Sequence, residues 1–170
     1  LKERGIDNVL LVSGEAPDKI NITYLRKIIS LLRSHFSFIS IEIQPLHTEE
    51  YLELKASGLD GVVVYQETYD REVYKKVHIK GRKKNYLWRI ETPERAAFAG
   101  ITRIGLGILL GLANPVYDSI ALAYHLSILK RRYWRSYYTV AFPRLRPCAR
   151  PFTIKFNVSD EMLSLIHISE

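Results

Sequence analysis

Four short stretches have residue types that could meet a small charged ligand. Ser13–Gly14–Glu15 puts a small residue, a glycine and a carboxylate in a row. That lets backbone groups approach a ligand and offers an acceptor to an ammonium group; a plain turn uses the same residues. Tyr65–Gln66–Glu67–Thr68–Tyr69 is a run of polar and aromatic residues after a valine-rich segment. It suits a polar ligand, and equally a solvated loop. Phe142–Pro143–Arg144–Leu145–Arg146–Pro147 holds two guanidiniums between prolines, able to grip a carboxylate or to form structural ion pairs. The glycines of Ile104–Gly105–Leu106–Gly107–Ile108–Leu109–Leu110–Gly111 permit close approach of a flat ligand. They lack the Gly-x-Gly-x-x-Gly order and acidic partner of a dinucleotide site.

Other chemistries find no support. His35, His47, His78, His125 and His167 have no metal-ligand spacing, and no metal site is expected. There is no Walker loop and no nucleophile elbow. No lysine sits clearly at a strand end, as a Schiff-base lyase would need. The single Cys148 excludes an internal disulfide framework, suits a reducing cytoplasm and cannot by itself hold an iron–sulfur cluster. No apolar run approaches the roughly 20 residues that span a bilayer. The formal net charge of +7 could attract an anion or RNA. However, aromatics do not interleave with Lys80–Gly81–Arg82–Lys83–Lys84, which reads as an exposed loop. Lys130–Arg131–Arg132 reads as the favourable end of a long helix.

The elements that must position these residues alternate. Strands are expected at Asn8–Val12, Phe38–Gln44, Gly61–Tyr65, Arg103–Ile108 and Tyr138–Phe142. Between them lie helices from Asn21 to about His35, from a Thr48 cap to Gly58, and from about Asp70 to His78. Further helices run from a Thr92–Pro93–Glu94 start to Gly100 and from Val116 to about Tyr133; another opens near Ser159. Alternation of this kind predicts an α/β fold of right-handed βαβ units, with about five parallel strands in an open arc of a (β/α) barrel. Chemistry then belongs at the C-terminal strand ends, which is where the stretches above fall.

Taken together, Val12–Ser13–Gly14–Glu15, Ile43–Gln44–Pro45–Leu46, Gly58–Leu59–Asp60–Gly61 and Val64–Tyr65–Gln66–Glu67–Thr68–Tyr69 resemble the tyrosine lyases of bacterial thiazole synthesis. The likeness continues through His78–Ile79–Lys80–Gly81, Trp88–Arg89–Ile90–Glu91–Thr92–Pro93, Ile104–Gly105–Leu106–Gly107, Tyr133–Trp134 and Phe142–Cys148. It runs from Gly5 to about Met162 and rests on many motifs in order. It implies a partial barrel of the radical S-adenosylmethionine (SAM) type. In the family, three cysteines spaced Cys-x₃-Cys-x₂-Cys hold a 4Fe-4S cluster, and SAM chelates its open iron. A 5′-deoxyadenosyl radical then breaks the tyrosine Cα–Cβ bond, giving 2-iminoacetate and p-cresol for thiamine. The chain contains no such triad. The resemblance implies tyrosine as substrate, a reductant such as flavodoxin and thiazole synthase as partners, with no nucleic acid or membrane and a cytoplasmic location.

Residue by residue, Ser13, Gly14 and Glu15 resemble the glycine–glycine–glutamate motif that takes the SAM ammonium, with Ser13 in place of the first glycine. Glu67, next to Tyr65, resembles the strand-end acid that faces SAM. Arg89 and Arg95 resemble basic groups that meet its carboxylate, and Leu106, Gly107 and Ile108 the apolar strand beside adenine. No catalytic residue is assigned within this chain. Hydrogenase-maturation tyrosine lyases resemble the chain through Gln66–Tyr69, whereas Glu91–Thr92–Pro93 and Leu145–Arg146–Pro147–Cys148 favour the thiamine branch. A non-enzymatic anion- or RNA-binding α/β module is the reading from a different class.

The ends are expected to be artificial. The chain starts at Leu1 without Met, as an internal fragment would. Residues 163–170, Leu163 to Glu170, read as the translation of a transposon-end sequencing adapter, leaving residues 1–162 as the barrel domain. The fragment alone is expected to be inactive.

Overall fold

The computed structural model describes residues 5–16, 18–146 and 156–168. Five strands, β1 (Asn8–Val12), β2 (Phe38–Glu42), β3 (Gly61–Glu67), β4 (Arg103–Ile108) and β5 (Tyr137–Ala141), form one sheet in sequential order. Every neighbouring pair is parallel. Helices carry the chain from each strand to the next, as parallel pairing requires: α1 (Ile22–Arg33), α2 (Thr48–Ala56), α3 (Arg71–Val77), α4 (Tyr86–Ile90), α5 (Thr92–Phe98) and α6 (Pro115–Arg132). A last helix, α7 (Asp160–Ile168), runs across the Met162–Leu163 junction, and Met162 and Leu163 pack against the core.

The period-2 geometry of a strand sorts the residues between two faces. Ile39, Ile41, Val62, Ile104, Leu106, Ile108 and Tyr138 point under the helices and form the core with Leu25, Ile29, Leu54, Leu59 and Leu122. Each such side chain stabilises the fold by roughly 1.5–3 kcal/mol through lost contact with water. The opposite face is the inner wall of the arc. Leu10, Val12 and Tyr137 are exposed, and Asn8, Phe38, Ser40, Gly61, Arg103, Gly105 and Thr139 line a shallow cavity there.

Three local expectations need correction. Thr48 does not cap α2: His47 takes that position, and its backbone N–H donates to Glu50 Oε2 at 2.7 Å. Thr92 does not cap α5 either. Glu91 has helical dihedrals, so α4 leads almost directly into α5, and the Thr92 hydroxyl donates back to Trp88 O at 3.0 Å. Thr92 is fully buried, so its hydroxyl needs that internal partner. Finally, the basic run after α3 is not simply a loop. Arg82–Lys84 form a 3₁₀ turn, and the segment from His78 to Lys84 folds as a strap towards the C-terminal ends of β1 and β3.

Candidate functional site

The strand ends enclose a cleft of about 150 Å³. Ser13, Gly14 and Glu15 line it from the end of β1, Glu42 and Gln44 from β2, Tyr65 and Glu67 from β3, Lys83 from the strap, and Arg89 from α4. Six of the expected ligand-binding residues therefore come together there.

Glu67 is the centre of this arrangement. Among the described residues it is the non-glycine residue with positive φ, at 71°, a conformation that costs a side chain roughly 1–3 kcal/mol. The register slips at the same place, where a bulge lies between Tyr65 and Glu67. Bulges re-aim side chains at strand ends, and this one delivers the Glu67 carboxylate to three basic groups. His78 Nε2 lies 3.7 Å from Oε2, while Lys83 Nζ and Arg89 Nη2 lie 3.7 and 3.5 Å from Oε1. Burial pushes the Glu67 carboxyl up, but His78, Lys83 and Arg89 outweigh it and hold it below the usual glutamate range.

The basic groups are themselves held. Arg89 is buried, and its Nε donates to Tyr65 O at 2.7 Å, which fixes the guanidinium at the strand end. The buried His78 ring stacks on Tyr74 with 4.1 Å between centroids. Its Nδ1 lies 3.2 Å from Tyr74 O, within reach to donate to that carbonyl. The Tyr74 hydroxyl donates to Lys83 O at 2.6 Å, so the same tyrosine ties the strap to α3.

On the β1 side, the Gln44 side chain braces the loop that carries Glu15. Its Oε1 accepts from Ala16 N at 3.0 Å and its Nε2 donates to Ile20 O at 3.3 Å. The Ser13 hydroxyl donates to Gly14 O at 2.9 Å. Among the described residues, Glu15 Oε1 is buried without a hydrogen-bond partner, on a side chain that lines the cleft. A buried carboxylate oxygen left in this way is costly unless a ligand or water completes it.

The remaining candidates lie elsewhere. Arg95 is outside the cleft. Its Nε donates to Leu46 O at 3.0 Å, its Nη2 to Trp88 O at 2.6 Å and Thr92 Oγ1 at 2.9 Å, and its guanidinium lies 3.7 Å above the Trp88 ring. Leu106 and Ile108 point to the helix side. Gly107 is on the inner face, but the flat group beside it is Tyr65. A Cβ there would meet Tyr65 Cδ1 at 2.6 Å and Ala141 O at 2.8 Å. Arg144 spends its Nη1 on Val158 O at 3.0 Å and Asp160 Oδ1 at 2.5 Å, the structural ion-pair alternative. Pro147 and Cys148 lie outside the described residues.

Sequence reasoning missed His78, Lys83 and Glu42 as residues of the site. Glu42 was legible, since it ends a strand on the same face as Ser40. His78 and Lys83 were not, because the fold of the strap decides where they point.

No protein-family model matches the chain. Two curated proteins do. The 2-iminoacetate synthase of Escherichia coli (strain K12) is 50% identical over 149 residues, 87% of this chain and 40% of that protein. Its counterpart from Salmonella typhimurium is 46% identical over 149 residues, with the same coverage. The chain thus spans about 40% of the length of the curated relatives it matches. Among solved structures, the FeFe-hydrogenase maturase HydG from Carboxydothermus hydrogenoformans superposes with a TM-score of 0.88. It is 36% identical, over 97% of this chain and 39% of that one. The fold is accordingly a partial (β/α) barrel of the radical SAM type.

Proposed function

We infer that this chain, which belongs by sequence with the 2-iminoacetate synthases, forms part of the SAM-binding wall of a radical SAM tyrosine lyase. The full-length parent would cleave the Cα–Cβ bond of tyrosine to 2-iminoacetate and p-cresol for the thiazole of thiamine. The carrying observation is that a stretch 50% identical to such an enzyme brings Ser13–Gly14–Glu15, Glu67 and Arg89 from three separate elements to one cleft. Parallel strands bring the chain segments to one end, and a shared ligand accounts for acids and a buried arginine lining one cleft there.

The cleft has the chemistry of a zwitterion site. Glu15 offers an acceptor to an ammonium group, Arg89 offers positive charge, and Gly14 leaves open space beside its backbone. Bound SAM would supply the adenosyl group from which the radical chemistry starts. This chain's residues bind and orient it: Gln44 fixes the Glu15 loop, the bulge aims Glu67, and Tyr65 O anchors Arg89. A 4Fe-4S cluster does not fit the donors present, because one cysteine cannot hold it. Its ligands, the tyrosine-binding residues, thiazole synthase and a reductant such as flavodoxin belong to the parent. The hydrogenase-maturation branch shares the fold at TM-score 0.88, but at 36% identity against 50%, which favours the thiamine branch.

A chimera tests this reading. Residues of this chain replace the matching 149-residue stretch of the Escherichia coli enzyme, and the product is reconstituted anaerobically with iron and sulfide. With SAM and a reductant it should release p-cresol from tyrosine, and Glu67→Gln should abolish release. A folded, clustered chimera that makes no p-cresol overturns the assignment.

A further inference from the structure

We propose that Lys83 joins Arg89 in holding the carboxylate of the ligand's α-amino acid end, while Glu15 holds its ammonium. The proposal rests on the reading of the cleft as a SAM site and names a residue that reading does not supply.

An α-amino acid carries its ammonium and carboxylate on one carbon. Its acceptor and its cationic donors must therefore lie within a few ångströms of each other. The strap provides that closeness to Glu15. Gly81 has φ of 68° and packs directly against the Glu15 carboxylate, so that a Cβ at this position would collide with Oε2. Lys83 follows two residues later, in the 3₁₀ turn. Its backbone is pinned by the Tyr74 hydroxyl at 2.6 Å and by the Lys84 N–H to Gly81 O bond at 3.3 Å.

The Lys83 side chain is placed but not committed. It lines the cleft, is 43% exposed, and holds Nζ 3.7 Å from Glu67 Oε1. That separation is beyond a hydrogen bond, and a half-exposed ion pair of this kind is weak. The ammonium can therefore turn to a ligand carboxylate without giving up a strong contact. Arg89 stands on the same Glu67 oxygen, at 3.5 Å. Arg95, the alternative second cation, has its donors on Leu46 O, Trp88 O and Thr92 Oγ1 and its face on Trp88. Turning it to the cleft would strand those acceptors.

The test pairs a ligand change with a protein change. Equilibrium dialysis of the chain is run with SAM and with decarboxylated SAM, which lacks only the carboxylate. Wild type should hold SAM about tenfold more tightly than the decarboxylated form, the scale of one charge-assisted contact. Lys83→Met should keep clearly less of the preference than wild type, the remainder being due to Arg89, Lys83→Arg should keep the preference, and Lys84→Met, changed on an exposed neighbour, should match wild type. Circular dichroism and melting temperature check each fold, and Lys83→Gln replaces Lys83→Met should that variant unfold. A Lys83→Met or Lys83→Gln chain that keeps the full preference overturns the inference and leaves the SAM reading standing, as does a wild type that binds SAM without any preference. No binding of SAM by folded wild type overturns both.

Discussion

At the scale of single residues, the site is built around a carboxylate in an unfavourable backbone conformation. Glu67 keeps φ at 71° because three basic groups and the bulge over-determine it. Its folded pKa is depressed, with burial opposing and His78, Lys83 and Arg89 prevailing. By linkage, its stabilising contribution is present above the pKa of an unfolded glutamate and is lost as pH falls through the depressed folded value. Thermal melts of wild type and Glu67→Gln should therefore diverge at neutral pH and converge in acid. Parallel curves at every pH would show that the cluster contributes nothing to the fold. Gly107 supplies a second prediction at this scale. Gly107→Ala places a methyl group 2.6 Å from the Tyr65 ring and 2.8 Å from Ala141 O. The ring can shift but the backbone oxygen cannot, so a loss of about 1–3 kcal/mol is expected in denaturant unfolding. Tyr65→Ala in the same chain should relieve part of that loss.

At the scale of elements, one buried carboxylate couples the site to the helix layer. Asp118, in the first turn of α6, accepts from Thr68 Oγ1 at 3.1 Å and from Tyr69 N at 2.8 Å. It thereby ties α6 to the turn that follows Glu67. Asp118→Ala would strand a buried hydroxyl and a backbone N–H, at about 1–3 kcal/mol each, and should loosen the β3–α3 turn. Hydrogen exchange at Tyr69 reads this directly; unchanged protection would mean that α6 does not hold the turn. Burial raises the Asp118 pKa, against the hydrogen bonds from Tyr69 and Thr68. Its term in stability is full below the unfolded pKa and lost as pH rises through the raised folded value. Relative to Asp118→Asn, wild type should thus weaken as pH climbs out of the ordinary aspartate range. The opposite slope would mean that the hydrogen bonds prevail over burial.

At the scale of the whole molecule, the described residues form an arc whose inner face and two edges are open. Leu10, Val12 and Tyr137 are 44%, 67% and 62% exposed on that face. Among the described residues, β1 and β5 each present one unpaired side, and open edges with apolar neighbours promote strand-to-strand association. Light scattering of the isolated chain should show concentration-dependent assembly, and Val12→Lys together with Tyr137→Lys should reduce it. A strictly monomeric wild type at high concentration would contradict this. The isolated chain is also expected to release no p-cresol from tyrosine with SAM and reductant, since its one cysteine cannot hold a cluster.

The sequence by itself determined the parallel α/β arc. Valine- and isoleucine-rich runs bounded by turn residues, spaced by amphipathic segments, leave few other ways to bury both faces. All five strands and the helices from Ile22, Thr48, Arg71, Thr92 and Pro115 lie where that pattern puts them, within a few residues. The alignment of Glu15 and Glu67 at one end also followed, because parallel strands carry their C-termini to the same side. What only the tertiary structure decided is which basic groups reach those acids. Arg89 and Arg95 look alike in sequence, six positions apart, yet α4 turns Arg89 onto Tyr65 O while Arg95 is spent on Trp88, Thr92 and Leu46. His78 and Lys83 enter the site through a strap whose path depends on a glycine at φ 68° and on the distant ring and hydroxyl of Tyr74. Local patterns specify the periodicity of strands and helices. The direction of a long charged side chain at a loop depends on contacts between segments far apart in the chain, and those exist only once the sheet has assembled.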